Sequence, residues 1–241
     1  MPNPLPWRWR AFCTGWNAPD TGPGLTKTGK ALVRLCNALG IMIDLSHINE
    51  AGFDDVAALS DAPLVATHSN AHALCPSPRN PTDRQLHMIR ETGGMVGLNF
   101  ATFFLNPDGR SDTHLGWDTI LHHLDHMIAV LGEDHVGLGS DFDGCVVPDL
   151  IGDVTGVPRL LRALSAHGYD DALLRKLARE NWLACLERTW KWTCAEPAHP
   201  GGQAGPQHWI PVAKAAVSGP VSFNASGCVT VSDTAGRSPA G

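Results

Sequence analysis

The chain lacks several features that mark special classes of protein. Its seven cysteines are odd in number and include no Cys-x-x-Cys pair, which argues against a zinc ribbon or a disulfide framework and predicts reduced, mostly buried thiols. No apolar run is long enough to span a bilayer, and the Pro- and Trp-rich first residues lack the apolar stretch of a signal peptide. We therefore expect a cytoplasmic protein without a membrane segment, although an amino terminus lost from the chain would take any signal with it.

An excess of positive charge is also absent. Lys and Arg total 18 against 24 Asp and Glu, so the formal net charge is -6 and gives no electrostatic reason to bind nucleic acid. The basic and aromatic run Trp7-Arg8-Trp9-Arg10 is too short to outweigh that balance. What is present is a chain of 241 residues with 43% hydrophobic composition, which is long enough for one large domain with a substantial core.

The segment 25–193 alternates between helical and strand patterns. Gly40 ends a first amphipathic helix, Asn49 is a plausible N-cap for a second, and Thr82 with Gln85 has the spacing of a capping box for a third. Each of the first four predicted helices is followed by a short apolar run, which makes four strand–helix units and predicts an α/β fold with a parallel sheet. The predicted helices span about 25–39, 49–59, 82–92, 117–131, 157–167 and 170–190.

Composition divides the chain into three parts. Residues 1–24 are rich in proline and predicted to be an irregular amino-terminal segment, and the alternating segment 25–193 is the expected folded part. From residue 194 to 241 the chain turns to Gly, Pro, Ala and Ser without a sustained period, so we expect a flexible tail. Within that tail the stretch from Val217 to Val231 could form strands.

A polar residue follows the end of each predicted strand. His47 follows the run that begins at Ile41, and His68, Asn99 and Asp141 follow the next three apolar runs. In a barrel of alternating strands and helices the carboxyl ends of the strands converge on one face, so these side chains could share a site. Neutral imidazole is a good zinc ligand, and Asp44 or a backbone carbonyl could orient one ring from behind. A strand-end histidine alone is more often a hydrogen-bonded structural residue, but the same position on two consecutive strands makes a metal ligand equally plausible.

Other polar side chains could complete such a site. A carboxylate beside an activated water can take its proton and pass it to a departing amine, so we expect chemistry for Asp141 and turn capping for Asp143. Arg79, in a loop after the His68 strand, could hold a substrate carboxylate, unless it is simply solvated. His122 and His126 have the i, i+4 spacing that can bind metal, although a solvated helix face is the ordinary reading.

A series of short motifs occurs in order along the chain: Gly24-Leu25-Thr26, Ile43-Asp44-Leu45-Ser46-His47, Thr67-His68-Ser69-Asn70-Ala71, Pro78-Arg79-Asn80, Gly93-Gly94-Met95-Val96-Gly97, Leu124-Asp125-His126, Gly139-Ser140-Asp141-Phe142-Asp143-Gly144 and Glu180-Asn181-Trp182. This series resembles the membrane (renal-type) dipeptidase family, peptidase family M19, over about residues 24–190. Each motif alone is weak, but the ordered series is specific.

The resemblance implies a (β/α)8 barrel with two zinc ions bridged by a glutamate, which hydrolyses the peptide bond of a dipeptide. By motif position, His47 and His68 resemble the two histidine ligands of one zinc ion. Arg79 resembles the residue that binds the substrate carboxylate, and Asp141 resembles the aspartate that moves the proton to the leaving amine.

Three elements of that family pattern have no counterpart. No histidine precedes His47 and no glutamate precedes Glu50, so the His-x-Asp of the first strand, the bridging glutamate and a further substrate-binding histidine are absent. The sequence His123-Leu124-Asp125 spells His-x-Asp but lies on a predicted helix. The chain is thus expected to contain barrel strands five to eight, with one zinc ion or none bound.

Half a barrel exposes two sheet edges and the core that the other half would cover. A misplaced start or frameshift, a half-barrel that assembles with a copy of itself or a complementing amino-terminal half, and a degraded remnant are the explanations left open. The sequence predicts a zinc-dependent dipeptidase that is truncated and weak or inactive alone. The alternatives are a non-catalytic half-barrel that binds a partner or small ligand, and another metal-dependent amidohydrolase on the same scaffold.

Overall fold

The computed structural model describes residues 23–190 and two short strands at 221–223 and 229–231. The chain divides into two units, residues 1–194 and 195–241. In the second unit, β4 (Val221–Phe223) pairs antiparallel with β5 (Val229–Val231), which confirms strand formation at those positions. The predictions for the irregular segment 1–24 and for the rest of the tail 194–241 fall almost wholly outside the described residues.

The first unit alternates helices with short strands, as the sequence predicts. None of its described helices is both long and apolar enough to cross a membrane. It also contains 3-10 turns at Glu133–His135 and Val154–Gly156 and a π-helical segment at Lys176–Glu180. The elements are α1 (Lys27–Leu39), α2 (Glu50–Leu59), β1 (Val65–Ala66), α3 (Asp83–Glu91), β2 (Met95–Leu98), α4 (Thr102–Leu105), α5 (Trp117–Leu131), β3 (Val136–Leu138), α6 (Val157–His167), α7 (Asp171–Arg175) and α8 (Asn181–Thr189).

Local residues account for where α2 and α3 begin and where α1 ends. The N-cap Asn49 accepts a hydrogen bond from the Gly52 amide at 3.0 Å, which satisfies one of the free amides of the first turn of α2. Thr82 and Gln85 form the predicted capping box at the start of α3. Gly40 ends α1 in the left-handed conformation, with φ of 66°, which glycine adopts without steric cost.

The three strands form a parallel sheet in the order β1, β2, β3. One face packs against α2, α3 and α5, and the other contacts Cys185 and Trp182 of α8. Gly137 permits the second packing, because a Cβ there would lie 2.8 Å from the Trp182 indole nitrogen. That nitrogen donates to the Leu138 carbonyl at 3.0 Å, and the Asn181 amide donates to the Val136 carbonyl at 2.7 Å. Helix α8 thereby holds β3 in register.

The predicted first strand, Ile41 to Ser46, is wrong in extent. It is reduced to one parallel bridge between Asp44 and Val65, with the Leu45 amide donating to the Val65 carbonyl at 2.8 Å. The next amide of the neighbouring strand, on Thr67, donates to Asp44 Oδ1 at 2.9 Å and so bonds a side chain. The carboxylate therefore takes the hydrogen bond that would have extended the ladder.

Candidate active site

The carboxyl ends of the strands bring together polar residues from separate parts of the chain. His68, Asn99 and Asp141 lie just beyond β1, β2 and β3, and Asp44 lies at the isolated bridge. The side-chain amide of the fully buried Asn99 donates to the His68 carbonyl and to Asp141 Oδ2, each at 3.2 Å. One amide group therefore links the ends of β1 and β3 across β2.

His47 and His68 meet at this edge. Their Nε2 atoms are 2.9 Å apart, and their ring centroids are 5.0 Å apart at an interplanar angle of 54°. Burial is the main cause that lowers the pKa of His47 to about 4, and the neighbouring Arg79 and His68 add to the effect. His47 is therefore neutral near pH 7, which is the form of imidazole that binds metal ions.

Arg79 lies at the site, and it is buried, whereas a loop arginine is commonly exposed to solvent. Its side chain is 5% exposed, its Nε donates to the Ser46 carbonyl at 2.8 Å, and its guanidinium stacks 4.8 Å from the centre of the Phe104 ring. Its Nη2 contacts His47 Nε2. Because arginine has only donors, His47 Nε2 is an acceptor in this contact.

Asp44 is the most heavily hydrogen-bonded carboxylate at this edge. Its Oδ1 accepts from the Ser46 amide at 3.0 Å, the Ser46 hydroxyl at 2.7 Å and the Thr67 amide at 2.9 Å, and its Oδ2 accepts from the Thr67 hydroxyl at 2.5 Å. Burial alone would raise the pKa of Asp44, but these bonds outweigh it and hold the pKa below the ordinary value. Asp44 is therefore a permanent negative charge behind the histidine pair.

The loop after β3 presents Asp141 from a left-handed backbone. Asp141 has φ of 57° and Asp143 has φ of 65°, a conformation that Asp tolerates better than most residues. The turn is closed by a backbone hydrogen bond, in which the Gly144 amide donates to the Asp141 carbonyl at 3.1 Å. Strained backbone of this kind is common where a side chain is held in a fixed position for function.

Sequence reasoning missed a buried layer behind the site. Asn70 exchanges two hydrogen bonds with the backbone of Asn99, at 2.9 Å and 3.0 Å, and its own amide donates to Asn80 Oδ1 at 3.0 Å. His123, 1% exposed on α5, accepts from the Ala71 amide at 3.1 Å and donates to the Leu105 carbonyl at 3.0 Å. No local sequence signal distinguishes these residues, since their partners are distant along the chain.

The other histidines of α5 do not form the metal pair that their spacing allows. His126 Nε2 lies 2.7 Å from Asp83 Oδ1 of α3, and His122 is exposed. Over residues 23–190, no group of three or more His, Cys, Asp or Glu side chains is arranged to hold a metal ion. The imidazole pair at His47 and His68 has donors of the type that zinc prefers, so the residues present fit part of a zinc site.

Comparisons with known proteins find similar sequences and similar folds. The sequence pattern of the membrane dipeptidase family (peptidase family M19) matches residues 11–196. A solved dipeptidase, described as an M19 metallopeptidase, is 67% identical with a TM-score of 0.71 and covers 71% of this chain. A metallopeptidase from Rhodobacter sphaeroides, liganded with a phosphinate mimic of the dipeptide L-Ala-D-Ala, matches with the same identity, TM-score and coverage of this chain.

Two further relatives are less similar in sequence. An uncharacterised protein in the pqqA 5' region of Klebsiella pneumoniae is 55% identical over 72% of this chain. The probable dipeptidase PvdM from Pseudomonas aeruginosa is 26% identical over 71% of this chain, with a TM-score of 0.65. The chain spans 64% of the Klebsiella protein, and 51% and 49% of the two solved metallopeptidases that are 67% identical to it. Together these structures establish an α/β fold like that of the M19 dipeptidases.

Proposed function

Because the chain belongs to the membrane dipeptidase family, peptidase family M19, we propose that it carries one part of the active site of a zinc-dependent dipeptidase. The observation that supports this most directly is the convergence of His47 Nε2 and His68 Nε2 to 2.9 Å. The two residues come from different strand–helix units, and each brings a ring nitrogen to the same point. Two imidazole nitrogens arranged in this way are suited to a zinc ion.

The fold supports a matching proposal for architecture. The segment Ile41–Ser46 and strands β1 to β3 would be four consecutive strands of a (β/α)8 barrel, the fifth to the eighth, with the site at their carboxyl ends. The described sheet begins at the Asp44 bridge and ends at β3. A barrel would require further strands beside both of these edges.

The proposed chemistry divides among a bound zinc ion and two side chains. Bound zinc would supply Lewis-acid polarisation of the scissile carbonyl and activation of water. Asp141 would take the proton of the attacking water and give it to the departing amine, with its Oδ2 held by Asn99. Arg79 would bind the carboxylate of a dipeptide by two parallel hydrogen bonds. Since Arg79 Nε and Nη2 contact Ser46 and His47, this requires that it exchange one of those partners.

A partner is proposed from an uncovered surface. Leu32, Leu35, Leu39 and Ile41, which we call the α1 stripe, are between 42% and 62% exposed and follow one another along α1 and the segment after it. Apolar side chains in such a row usually face another element. We propose that a second copy of this chain or a complementing amino-terminal half covers the α1 stripe, and that the 241-residue chain alone hydrolyses dipeptides weakly or not at all.

The test combines zinc content with hydrolysis. We expect the purified chain to bind one zinc ion per chain, with binding lost in His47→Ala and in His68→Ala. His122→Ala is the matched control, since His122 is exposed on α5 and should keep the zinc. Elemental analysis after dialysis gives the zinc content, and a dipeptide panel that includes L-Ala-D-Ala gives the activity. A folded chain without zinc affinity, or zinc retained in His47→Ala or in His68→Ala, would contradict the proposal.

One observation favours a second candidate function. Over residues 23–190, the metal-type side chains do not form a group of three or more that could hold an ion. A non-catalytic half-barrel that binds a partner or a small ligand would need no such group. This candidate predicts a defined complex with a second polypeptide in the absence of zinc, which sedimentation of the metal-free chain would detect.

A further inference from the structure

Three buried asparagines form a continuous group behind the candidate active site. We call Asn70, Asn80 and Asn99 the asparagine cluster. The Asn70 amide donates to Asn80 Oδ1 at 3.0 Å. The Asn70 side chain donates to the Asn99 carbonyl at 2.9 Å and accepts from the Asn99 amide at 3.0 Å. The cluster therefore runs without a gap from the loop after β1 to the end of β2.

The side chains of the cluster are held from several sides. Asn80 and Asn70 both donate to the Phe104 carbonyl, at 2.9 Å and 3.2 Å. Asn99 Oδ1 accepts from the Ala101 amide at 2.6 Å. A buried polar network of this kind resists displacement, because movement of one member leaves a donor or an acceptor unpaired.

The two ends of the cluster support the two side chains that the proposed chemistry uses. Asn80 follows Arg79 directly in the chain, and Phe104, whose carbonyl Asn80 binds, also carries the Arg79 guanidinium 4.8 Å from its ring centre. At the other end, the Asn99 side chain donates to Asp141 Oδ2 at 3.2 Å. The cluster thus connects the segment that carries Arg79 with the carboxylate of Asp141.

Arg79 and Asp141 would act on the same part of a dipeptide. The free carboxylate and the departing amine of a dipeptide belong to one amino acid, in which a single α-carbon separates them. A guanidinium that holds this carboxylate and an aspartate that gives a proton to this amine must therefore keep a separation that matches one residue. A leaving group whose carboxylate lies farther from its amine cannot satisfy both contacts.

We infer that the asparagine cluster is a positioning unit that keeps Arg79 and Asp141 in a fixed relation and thereby selects a leaving group of one α-amino acid. Asn70 is its central member, because it bonds both Asn80 and Asn99. The selection of the leaving group rests on the proposed function. The fixed relation rests on the hydrogen bonds of the cluster.

Hydrogen exchange measured by NMR tests the fixed relation without zinc or hydrolysis. The Arg79 Nε–H, which donates to the Ser46 carbonyl, is the probe at one end of the cluster. The Ala101 amide, which donates to Asn99 Oδ1, is the probe at the other end. We expect Asn70→Ala to speed the exchange of both protons by roughly 10-fold, which is the effect of losing one buried hydrogen bond.

The matched control is Asn181→Ala. Asn181 is a buried asparagine outside the cluster that donates to the Val136 carbonyl, so its loss should leave both exchange rates near those of the natural chain. Faster exchange at one probe alone in Asn70→Ala overturns the inference, and so does an equal effect in Asn181→Ala. If Asn70→Ala does not fold, Asn80→Ala decides, since it should speed exchange at the distant Ala101 amide as well as at the Arg79 Nε–H.

Binding of small amino acids tests the selected leaving group. Alanine carries its amine and carboxylate on one carbon, whereas β-alanine has a further carbon between them. From the shift of the Arg79 Nε–H resonance, we expect the natural chain to bind the preferred enantiomer of alanine at least about 10-fold more tightly than β-alanine. In Asn70→Ala this ratio should approach one. Equal affinities in the natural chain overturn the selection. Binding of neither compound contradicts the proposed role of Arg79, and with it the selection, while hydrogen exchange still decides the fixed relation.

Discussion

Helices α1 and α5 are both amphipathic, yet they end in opposite environments. In α5, Leu124, Met127 and Leu131 are fully buried against α3 and the sheet. In α1, Leu35 is 54% exposed and Leu39 is 62% exposed. Spacing of apolar residues predicts both helices equally well, because it records which side of a helix is apolar and carries no information about what covers that side.

The difference shows on which side of the fold the apolar side chains are buried within the chain itself. The side that contains α5 has a closed core, with α5 between the sheet and its neighbouring helices. The side that contains α1 buries little apolar surface, since Val33 is its one large apolar side chain in the buried class. Burial of a leucine contributes about 1.5–3 kcal/mol, so the α1 stripe would add several such contributions when it is covered.

The largest expected effect contrasts one leucine from each helix. Leu124→Ala should lower the free energy of unfolding by about 2–5 kcal/mol, because it leaves a cavity in a closed core. Leu35→Ala should change it by less than about 0.5 kcal/mol in the isolated chain, because Leu35 already contacts water. Urea unfolding of both variants at low protein concentration measures the difference.

The same pair of variants tests the proposed partner. If raising the protein concentration makes Leu35→Ala lower the free energy of unfolding as much as Leu124→Ala does, a second copy covers the α1 stripe in solution. If its cost stays small at all concentrations, a homodimer through this surface is ruled out, and a different polypeptide remains as the partner.

The next expected effect lies in α5 and concerns pH. Burial lowers the pKa of His123 from 6.5 to about 4. Between these values the unfolded chain binds a proton that the folded chain does not. The stability that the lowered pKa of His123 contributes is therefore complete above about pH 6.5 and is lost as the pH falls toward 4. The loss is on the order of 3 kcal/mol. His123→Gln should flatten the fall in unfolding free energy over that range.

The control for this measurement must allow for His47. Its pKa is also lowered to about 4, so the natural chain loses stability over the same range from two histidines. His123→Gln should therefore reduce the slope without abolishing it, and His122→Gln, at an exposed position of α5, should leave it unchanged. An unaltered slope in His123→Gln would show that folding does not lower the pKa of His123.

Much of the fold was predictable because its signals are local. The caps at Asn49 and Thr82 and the stop at Gly40 are each encoded within a few residues, and the structure confirms all three. The strand at Ile41 to Ser46 was overpredicted for a reason that is not local. Asp44 takes the Thr67 amide with its side chain, and nothing in the apolar pattern of the segment announces that contact.

The site was predictable in position but not in its connections. Strand-end periodicity indicated that His68 and Asp141 would lie at one edge, and Asn99 links them there. Thr67 Oγ1 lies 2.5 Å from Asp44 Oδ2 and 2.6 Å from His68 Nδ1, and a spacing argument cannot supply contacts of this kind. Arg79 was expected in a loop near the site, but its burial against Phe104 follows from tertiary packing alone.

The smallest expected effects concern the caps of the two helices. Thr26 caps α1 through a 3.1 Å hydrogen bond from the Gly29 amide, whereas the N-cap of α5 is Gly116, which has no side chain to accept one. Thr26→Ala should cost about 1 kcal/mol. Gly116→Asp should add a few tenths of a kcal/mol, because its backbone is extended, a Cβ there meets open space, and a carboxylate favours a helix N-terminus.

Hydrogen exchange separates what the cap contributes to α1 from what packing contributes. Because α1 buries few apolar side chains, loss of the Thr26 cap should speed exchange along its first turns more than the change in unfolding free energy suggests. If exchange in α1 is unaffected, the helix start is held by Asp55, which accepts from the Leu25 amide and from Lys30, each at 2.7 Å. In that case Asp55→Asn should release the first turn of α1 while Thr26→Ala does not, and the exposed side of the molecule would prove to be anchored by polar contacts where the α5 side is anchored by its core.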